Sequence, residues 1–309
     1  MIPAIARRFL SSLVAVWGVM TLVFFAMYLQ GDPVLLFVPE NASQEIVEQF
    51  RRELGYDRPL IVQYFAFFAD ALRGDFGNSL IFQQPALQVV LAAIPATVDL
   101  AVAGLLVAAV VGLAAGYLST RARNPIARRI PLYFVSVVQA TPSFYLAILA
   151  VLIFGVALRV LPTGGSGSPL HLVMPAVTLG LFATPGIARV FRSSLLKVQS
   201  ADFVRTARAK GALETRLATR HIVPNALLPV ITILGMELGG MLGGAVIIET
   251  IFSWPGIGRL TIQSIYQRDY SVVLAIVTLL ALVFVAINFV VDLLYIAIDP
   301  RVRVAGRRK

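Results

Sequence analysis

The sequence predicts an all-α polytopic membrane protein with six transmembrane helices, and three observations carry that prediction. Of its 309 residues, 58% are hydrophobic and only 14% are charged, where a soluble domain is about half apolar and about a quarter charged. The mean hydropathy is +0.84. The apolar residues gather in six charge-poor runs of bilayer-crossing length, with basic residues concentrated in alternate connecting segments. The net charge of +10 would suit a nucleic-acid binder. Basic residues dispersed between membrane-length runs instead fit the orientation of a membrane protein.

A hydrocarbon core of roughly 30 Å needs about 20 apolar residues in helical form. The first run, Phe9 to Leu29, has no charge. Arg7 and Arg8 precede it as in a signal peptide, but it is too long and no small-x-small cleavage site follows, so a retained anchor is expected. The other runs are Ile94 to Leu118, Pro131 to Leu158, Leu172 to Ala188, Leu227 to Ile251 and Val272 to Ile298.

Charge sets the expected orientation. With the N-terminus in the cytoplasm, the inner segments carry Arg7 and Arg8, then Arg121, Arg123, Arg128 and Arg129, the cluster from Arg189 to Arg220, and the tail from Arg301 to Lys309. These hold 19 of the 26 basic residues, as the positive-inside rule requires. Both termini are therefore expected in the cytoplasm of a cell with this protein in its inner membrane. Residues 1–93 read as the first span plus an external helical loop. Residues 94–298 read as a five-span core with a connecting loop at 189–225, and 299–309 as a basic tail.

The external loop, Gln30 to Ala93, is long enough to fold. Ile46, Val47, Phe50 and Leu54 share a helical face, with Ser43 as cap and Gly55 as stop. Pro59 then starts a second helix whose stripe is Leu60, Ile61, Tyr64, Phe65, Phe68 and Leu72, ending at Gly74. Two readings stand: a small cap packed on the membrane domain, or a docking surface for an external partner. The stretch Pro162 to Pro169 reads as a flexible turn. It misses the Gly-x-Ser-x-Gly nucleophile elbow because Ser168 stands where the last glycine belongs.

Acids inside spans are costly and are functional candidates by default. Asp99 and Asp292 fall near membrane boundaries, whereas Glu237 lies about ten residues into the fifth run. Gly235, Gly239, Gly240, Gly243 and Gly244 surround it, with three small-xxx-small spacings that permit close helix approach. This run is expected to line the pathway or a subunit interface. Pro142, Pro175 and Pro185 should bend the third and fourth runs.

The segment from Arg189 to Asn225 is longer than a simple connector needs. Asp202 reads as the cap of a short helix, Phe203 to Lys210, stopped by Gly211. A second amphipathic segment runs from Leu213 to about Val223 and is broken by Pro224. A glycine-hinged pair of this kind suits either a partner's groove or anionic lipid, and composition does not choose between them.

Asp202-Phe-Val-Arg-Thr-Ala-Arg-Ala-Lys-Gly211, followed by His221 and Pro224-Asn-Ala-Leu-Leu-Pro229, resembles the cytoplasmic loop of type I ABC importer permeases. The closer resemblance is to their dipeptide, oligopeptide and nickel branch. It extends over the chain through Gly31-Asp-Pro33, Leu54 to Leu60, Gly74-Asp-Phe-Gly-Asn-Ser79, Glu249 to Leu260, Arg268-Asp-Tyr270 and Asp292 through Asp299-Pro-Arg301. In one respect the chain departs from the wider family: Arg205-Thr206-Ala207 stands where its loop motif has a glutamate. The resemblance implies the type I permease fold, a second similar permease, two cytoplasmic ATPases and an external solute-binding protein. It assigns contact with the ATPase to Asp202, Phe203, Arg205, Thr206, Ala207, Arg208, Lys210, Gly211 and Pro224.

Other chemistries find little support. A Walker A loop needs Gly-Lys-Ser/Thr, but Lys197, Lys210 and Lys309 follow Leu196, Ala209 and Arg308. ATP hydrolysis is therefore expected on another chain, and no cofactor is expected here. Without cysteine, and with only His171 and His221, a transition-metal centre is not expected. A secondary transporter would want several intramembrane charges and internal repeats, and an intramembrane hydrolase would want its histidines at membrane depth. The resemblance leaves the solute open among peptides, nickel, glutathione and sugars.

Overall fold

A computed structural model describes residues 14, 16–25, 34, 38, 42–53, 56–79, 81–121 and 124–298. The residues Arg7, Arg8, Gly31 to Pro33, Leu54, Gly55, Arg123 and the tail from Asp299, with the side chains of Gly243, Gly244 and Asp292, lie outside what it describes. Among the described residues the regular structure is helical, apart from an isolated bridge between Asn78 and Pro85. Structure and expectation agree on an all-α chain.

The helices are α1 (Val16–Phe25), α2 (Gln44–Glu53), α3 (Leu60–Leu72), α4 (Ala86–Arg121), α5 (Pro125–Ala140) and α6 (Ser143–Ala150). After α6 comes a π-helical stretch, Val151–Ala157. Then follow α7 (Pro169–Gln199), α8 (Asp202–Ala209), α9 (Glu214–Leu217), α10 (Val223–Ile251), α11 (Ile257–Tyr266) and α12 (Tyr270–Ile298). Among the described residues three helices are long and apolar enough to cross a membrane: α4, α7, and the run Glu214–Met241 that leads into α10.

The third expected span is broken. Pro125–Ala140 and Ser143–Ala157 meet at 101°. Thr141, held extended with ψ 126° before Pro142, is the break, as the steric clash of a proline with its predecessor dictates. Pro175 and Pro185 behave differently: both are buried inside α7, which continues through them for 31 residues. That helix also overruns its expected end at Ala188, because Phe191 and Leu195 continue its buried face while Arg189 stays exposed. The first part of the expected connector, residues 189–199, is thus the last three turns of α7.

The chain divides into two compact units. The first comprises Met1–Pro95 and Arg259–Ala286. In it Phe24 meets Tyr64 edge-on, with ring centroids 5.4 Å apart, and stacks on Phe67 at 5.5 Å, fastening α3 to α1. The hydroxyls of Thr21 and Tyr64 are 2.8 Å apart. The α3 stripe is not buried whole: Tyr64 is covered, whereas Ile61, Phe65 and Leu72 remain exposed. Two segments quoted above for the resemblance also meet here. The buried Ser79 hydroxyl donates to the buried Asp269 carboxylate, 190 residues further on, and Ser79 Oγ accepts from the Phe82 amide at 2.9 Å.

The second unit comprises Ala96–Gly258 and Ile287–Lys309, with its core along α7. Glycines let α4 approach α7 closely. A Cβ on Gly180 would come within 2.5 Å of the Gly104 carbonyl oxygen, and one on Gly112 within 2.9 Å of Ile187. In lipid, helices associate through such packing rather than by hiding apolar surface from water. The turn expected to be flexible, Pro162 to Pro169, is pinned instead. Gly165 N–H donates to the Phe252 carbonyl at 2.7 Å, and a Cβ on Gly164 would lie 2.6 Å from that same oxygen.

Candidate functional site

The Arg-rich segment after α7 builds a short helix with one fixed face and one free face. Helix α7 ends at Ser200, whose Oγ donates to the Lys197 carbonyl at 2.9 Å. Ala201 then turns extended, with ψ 147°, and is the N-cap of α8. The expectation that Asp202 caps this helix is corrected by one residue. Asp202 occupies the first helical position, where its charge favours the positive helix end, and its Oδ1 lies 3.8 Å from Arg205 Nη1.

Helix α8 closes with a Schellman motif. The Ala212 N–H reaches the Ala207 carbonyl at 3.2 Å and the Gly211 N–H reaches the Arg208 carbonyl at 3.0 Å, the paired bonds that define this cap. The motif requires a left-handed residue, and Gly211 supplies φ +81°. Ala207 and Ala212 pack together against the edge of the core. Val204 is fully buried and anchors the inner face. Outward stand Asp202, Phe203, Arg205, Thr206 and Lys210, all exposed.

Glu214, which the sequence reading did not single out, holds this helix in place. Its carboxylate accepts from Arg208 Nε at 2.6 Å and Nη2 at 3.4 Å, and from Arg121 Nη1 at 3.5 Å. The hydrogen bond from Arg208 holds the Glu214 carboxyl below the usual range; slight desolvation opposes it, and Arg121 adds to it. The same bond raises the Arg208 guanidinium above its ordinary value. Arg208 therefore braces α8 within the chain. Arg205, with its side chain 71% exposed, and the exposed Lys210 are left as outward cations. The one available clue was chemical: Glu214 is the first acid after a run of cations.

Pro224 does not break the following segment. The chain passes from α9 through a π-helical turn, Ala218–Ile222, directly into α10. Proline lacks the N–H that would pair with the carbonyl four residues back, and the wider π turn accommodates the mismatch. Asn225 Nδ2 donates to the His221 carbonyl at 2.7 Å, satisfying an acceptor in that turn.

Along α10, Gly235 and Gly239 are partly exposed. A Cβ on Gly240 would meet nothing within 4 Å among the described residues. Gly243 and Gly244 continue the helix. Among the described residues, close helix approaches occur at Gly104, Gly112 and Gly180. Glu237 is half-buried against α7, where a Cβ on Gly186 would stand 2.8 Å from its Oε1.

At the far end of α10 a second carboxylate is locked. Glu249 is fully buried and its Oε1 accepts from Thr97 Oγ1 at 2.7 Å. Thr97 Oγ1 in turn accepts from the Ile257 amide at 2.8 Å, and Trp254 Nε1 donates to the Ala96 carbonyl at 2.7 Å. Gly256 leaves the room this carboxylate fills, since any Cβ there would fall on it. This clasp fixes the turn after α10 to α4.

Comparison with known proteins agrees with this architecture. Residues 108–304 match the model of the "Binding-protein-dependent transport system inner membrane component" family, and residues 1–101 match its N-terminal companion model. The chain is 36% identical over 304 residues to the glutathione transport system permease protein GsiC of Escherichia coli (strain K12). That alignment covers 98% of this chain and 99% of the relative. The GsiC protein of Shigella flexneri serotype 5b (strain 8401) is similar at the same identity and coverage. Among solved structures, the inward-facing MetNI methionine ABC transporter aligns with a TM-score of 0.59 at 20% identity, over 69% of this chain and 97% of that one. An amino acid ABC transporter crystallised with histidines aligns at 0.53 and 17% identity, over 67% and 93%. The chain belongs to the binding-protein-dependent family of ABC importer permeases, in its peptide and oligopeptide branch, and is a permease subunit rather than a secondary transporter.

Proposed function

We propose that this chain forms half of the translocation pathway of an ATP-driven importer for peptides or a related small solute, and that α8 receives the stroke of a partner ATPase. In this reading the chain crosses the inner membrane six times with both termini in the cytoplasm. It pairs with a second, homologous permease. Two cytoplasmic ATPases power the pair, an external binding protein delivers solute, and this chain hydrolyses nothing. The GsiC relatives are named for glutathione, which falls within the solute class proposed.

The observation that carries the reading is the form of α8. One face is anchored by Val204 and braced by Glu214, while Phe203, Arg205 and Thr206 are presented outward. A helix held on one side and bare on the other is shaped to seat in a groove and transmit force. ATP acts on this chain only through contacts that differ between two conformations of the assembly. Closure of the ATPases then rotates the permease halves between inward and outward access.

The test is coupling. Charge reversal at Arg205 or Arg208, or Ala207→Trp, is expected to separate ATP hydrolysis from solute uptake in the reconstituted complex while membrane insertion stays intact. Uptake unchanged in all three variants would refute the assignment of α8.

A further inference from the structure

Helix α3 has three distinct faces. Tyr64 and Phe67 hold the first against Phe24 of α1. At 3.6 residues per turn, Ile61, Phe65 and Leu72 lie within about 40° of one another and make the second. All three are exposed, Phe65 by 64% and Leu72 by 89%. The third face, opposite this stripe, carries Gln63 and Asp70. Gln63 Nε2 donates to the Tyr56 and Arg58 carbonyls at 3.2 and 2.7 Å, which ties the polar turn before the helix to that side. Thirteen residues reach only about 20 Å and cannot cross a bilayer. Nor is α3 a core helix, since Tyr64 is its one buried residue. An apolar helix of this length with a bare stripe is suited to an interface between lipid and water.

The surface beside the stripe identifies what covers it. Thr21 and Phe24, which hold Tyr64, lie inside the first apolar run. Helix α3 is thus fastened to a segment of membrane-crossing character and not to a polar loop. On α1 the side chains of Leu22 and Phe25 are exposed. Phe25 stacks on Tyr64 at 6.0 Å, and Tyr64 meets Phe65 edge-on at 5.4 Å. The bare apolar surface of α1 therefore continues through an aromatic row onto α3. On a spanning helix such a surface meets acyl chains, and the stripe adjoining it meets the same solvent. Helix α2, polar and with no buried residue, is the part suited to water.

We propose that α3 lies in the external leaflet as an interfacial helix, with Ile61, Phe65 and Leu72 among the acyl chains and Gln63 and Asp70 toward water. The external loop is then anchored to lipid by its own second helix. This rests on the first apolar run being a span with its N-terminus in the cytoplasm.

The chain has no cysteine, so F65C, L72C, D70C and L22C each supply a single thiol for a nitroxide label. The full complex is reconstituted in liposomes of phosphatidylethanolamine and phosphatidylglycerol. Collision of the label with oxygen, which concentrates in the bilayer, is compared with collision with nickel ethylenediaminediacetate, which stays in water. The oxygen-to-nickel ratio is expected to be several-fold higher for F65C and L72C than for D70C, close to that for L22C, and unchanged by added solute-binding protein. L72C, whose side chain makes few contacts, guards against a result caused by disturbed packing at Phe65. Ratios for F65C and L72C as low as that for D70C, with L22C high, would put the stripe in water and overturn the proposal alone. Poor access of both reagents would mean that protein covers the stripe, and immobilisation on adding the binding protein would make it a docking surface; either result also overturns it. A low ratio for L22C would refute the span on which the proposal rests.

Discussion

The Glu214 carboxylate joins two helices that are far apart in the chain, accepting from Arg208 on α8 at 2.6 Å and from Arg121 at the end of α4 at 3.5 Å. A force applied to α8 thus reaches α4 directly as well as through α9 and α10. Glu214→Ala is expected to raise amide hydrogen exchange across residues 202–217 and to lower the ratio of uptake to ATP hydrolysis several-fold. The exchanged pair R208E with E214R should recover only part of either, because E214R sets a second cation beside Arg121 and removes the acceptor Arg121 uses. A double variant no better than the single ones would show that the brace does not matter.

The pH dependence of this brace has a definite sign. The folded-state carboxyl of Glu214 is held below its unfolded value, chiefly by the Arg208 hydrogen bond. Its contribution is complete above the unfolded carboxylate range, near ~4.3, and is lost as pH falls through the folded value. Exchange across residues 202–217 should therefore show no change in brace strength between neutral pH and mild acid, and E214Q should imitate strong acid at pH 7. Both groups are exposed, so the effect belongs to the geometry of α8 more than to global stability.

Gly211 closes the Schellman cap at φ +81° with open space where a Cβ would stand. Gly211→Ala should cost about 1–2 kcal/mol from the left-handed backbone alone, with no clash to add. The expected result is faster exchange of the α8 amides with little change in the thermal midpoint of the whole complex. A large fall in that midpoint would mean that the cap supports more than α8.

Gly180 poses the opposite case, because a Cβ there would lie 2.5 Å from a backbone oxygen of α4. Backbone cannot yield as a flexible side chain can, so Gly180→Ala should force the helices apart at a cost of about 1–3 kcal/mol. Thermal or denaturant unfolding of the detergent-solubilised protein measures this. Gly240→Ala, which meets nothing among the described residues, is the control.

The clasp at Glu249 should depend on its hydroxyl bridge. Thr97→Val keeps the shape but removes the donor to Glu249 and the acceptor for the Ile257 amide. Each lost bond costs about 0.5–1.5 kcal/mol, and about 1.5–3 kcal/mol where one partner is charged. Thr97→Ser, which keeps the hydroxyl, should unfold close to the parent, whereas Thr97→Val should unfold earlier.

The amino-acid sequence by itself determined the membrane class, the apolar helical runs and the existence of α8, because composition and a 3.6-residue period act locally. It also exposed Gly211 as a stop, since a lone glycine after a charged amphipathic turn has a local meaning. Local periodicity could not mark where α7 ends: Arg189 lies on the solvent side of a helix whose buried face runs on through Phe191 and Leu195. Nor could it foresee that Pro142 breaks its span at 101° while Pro175 and Pro185 leave α7 continuous. The outcome depends on whether neighbouring helices hold the strained turn. Only tertiary structure brought Arg121 to Glu214, Thr97 to Glu249 and Ser79 to Asp269, partners 93, 152 and 190 residues apart. Each is a polar pair whose members look ordinary alone. So α8 was legible as an element from its own residues. That it is held on one face and bare on the other is a property of the packed chain.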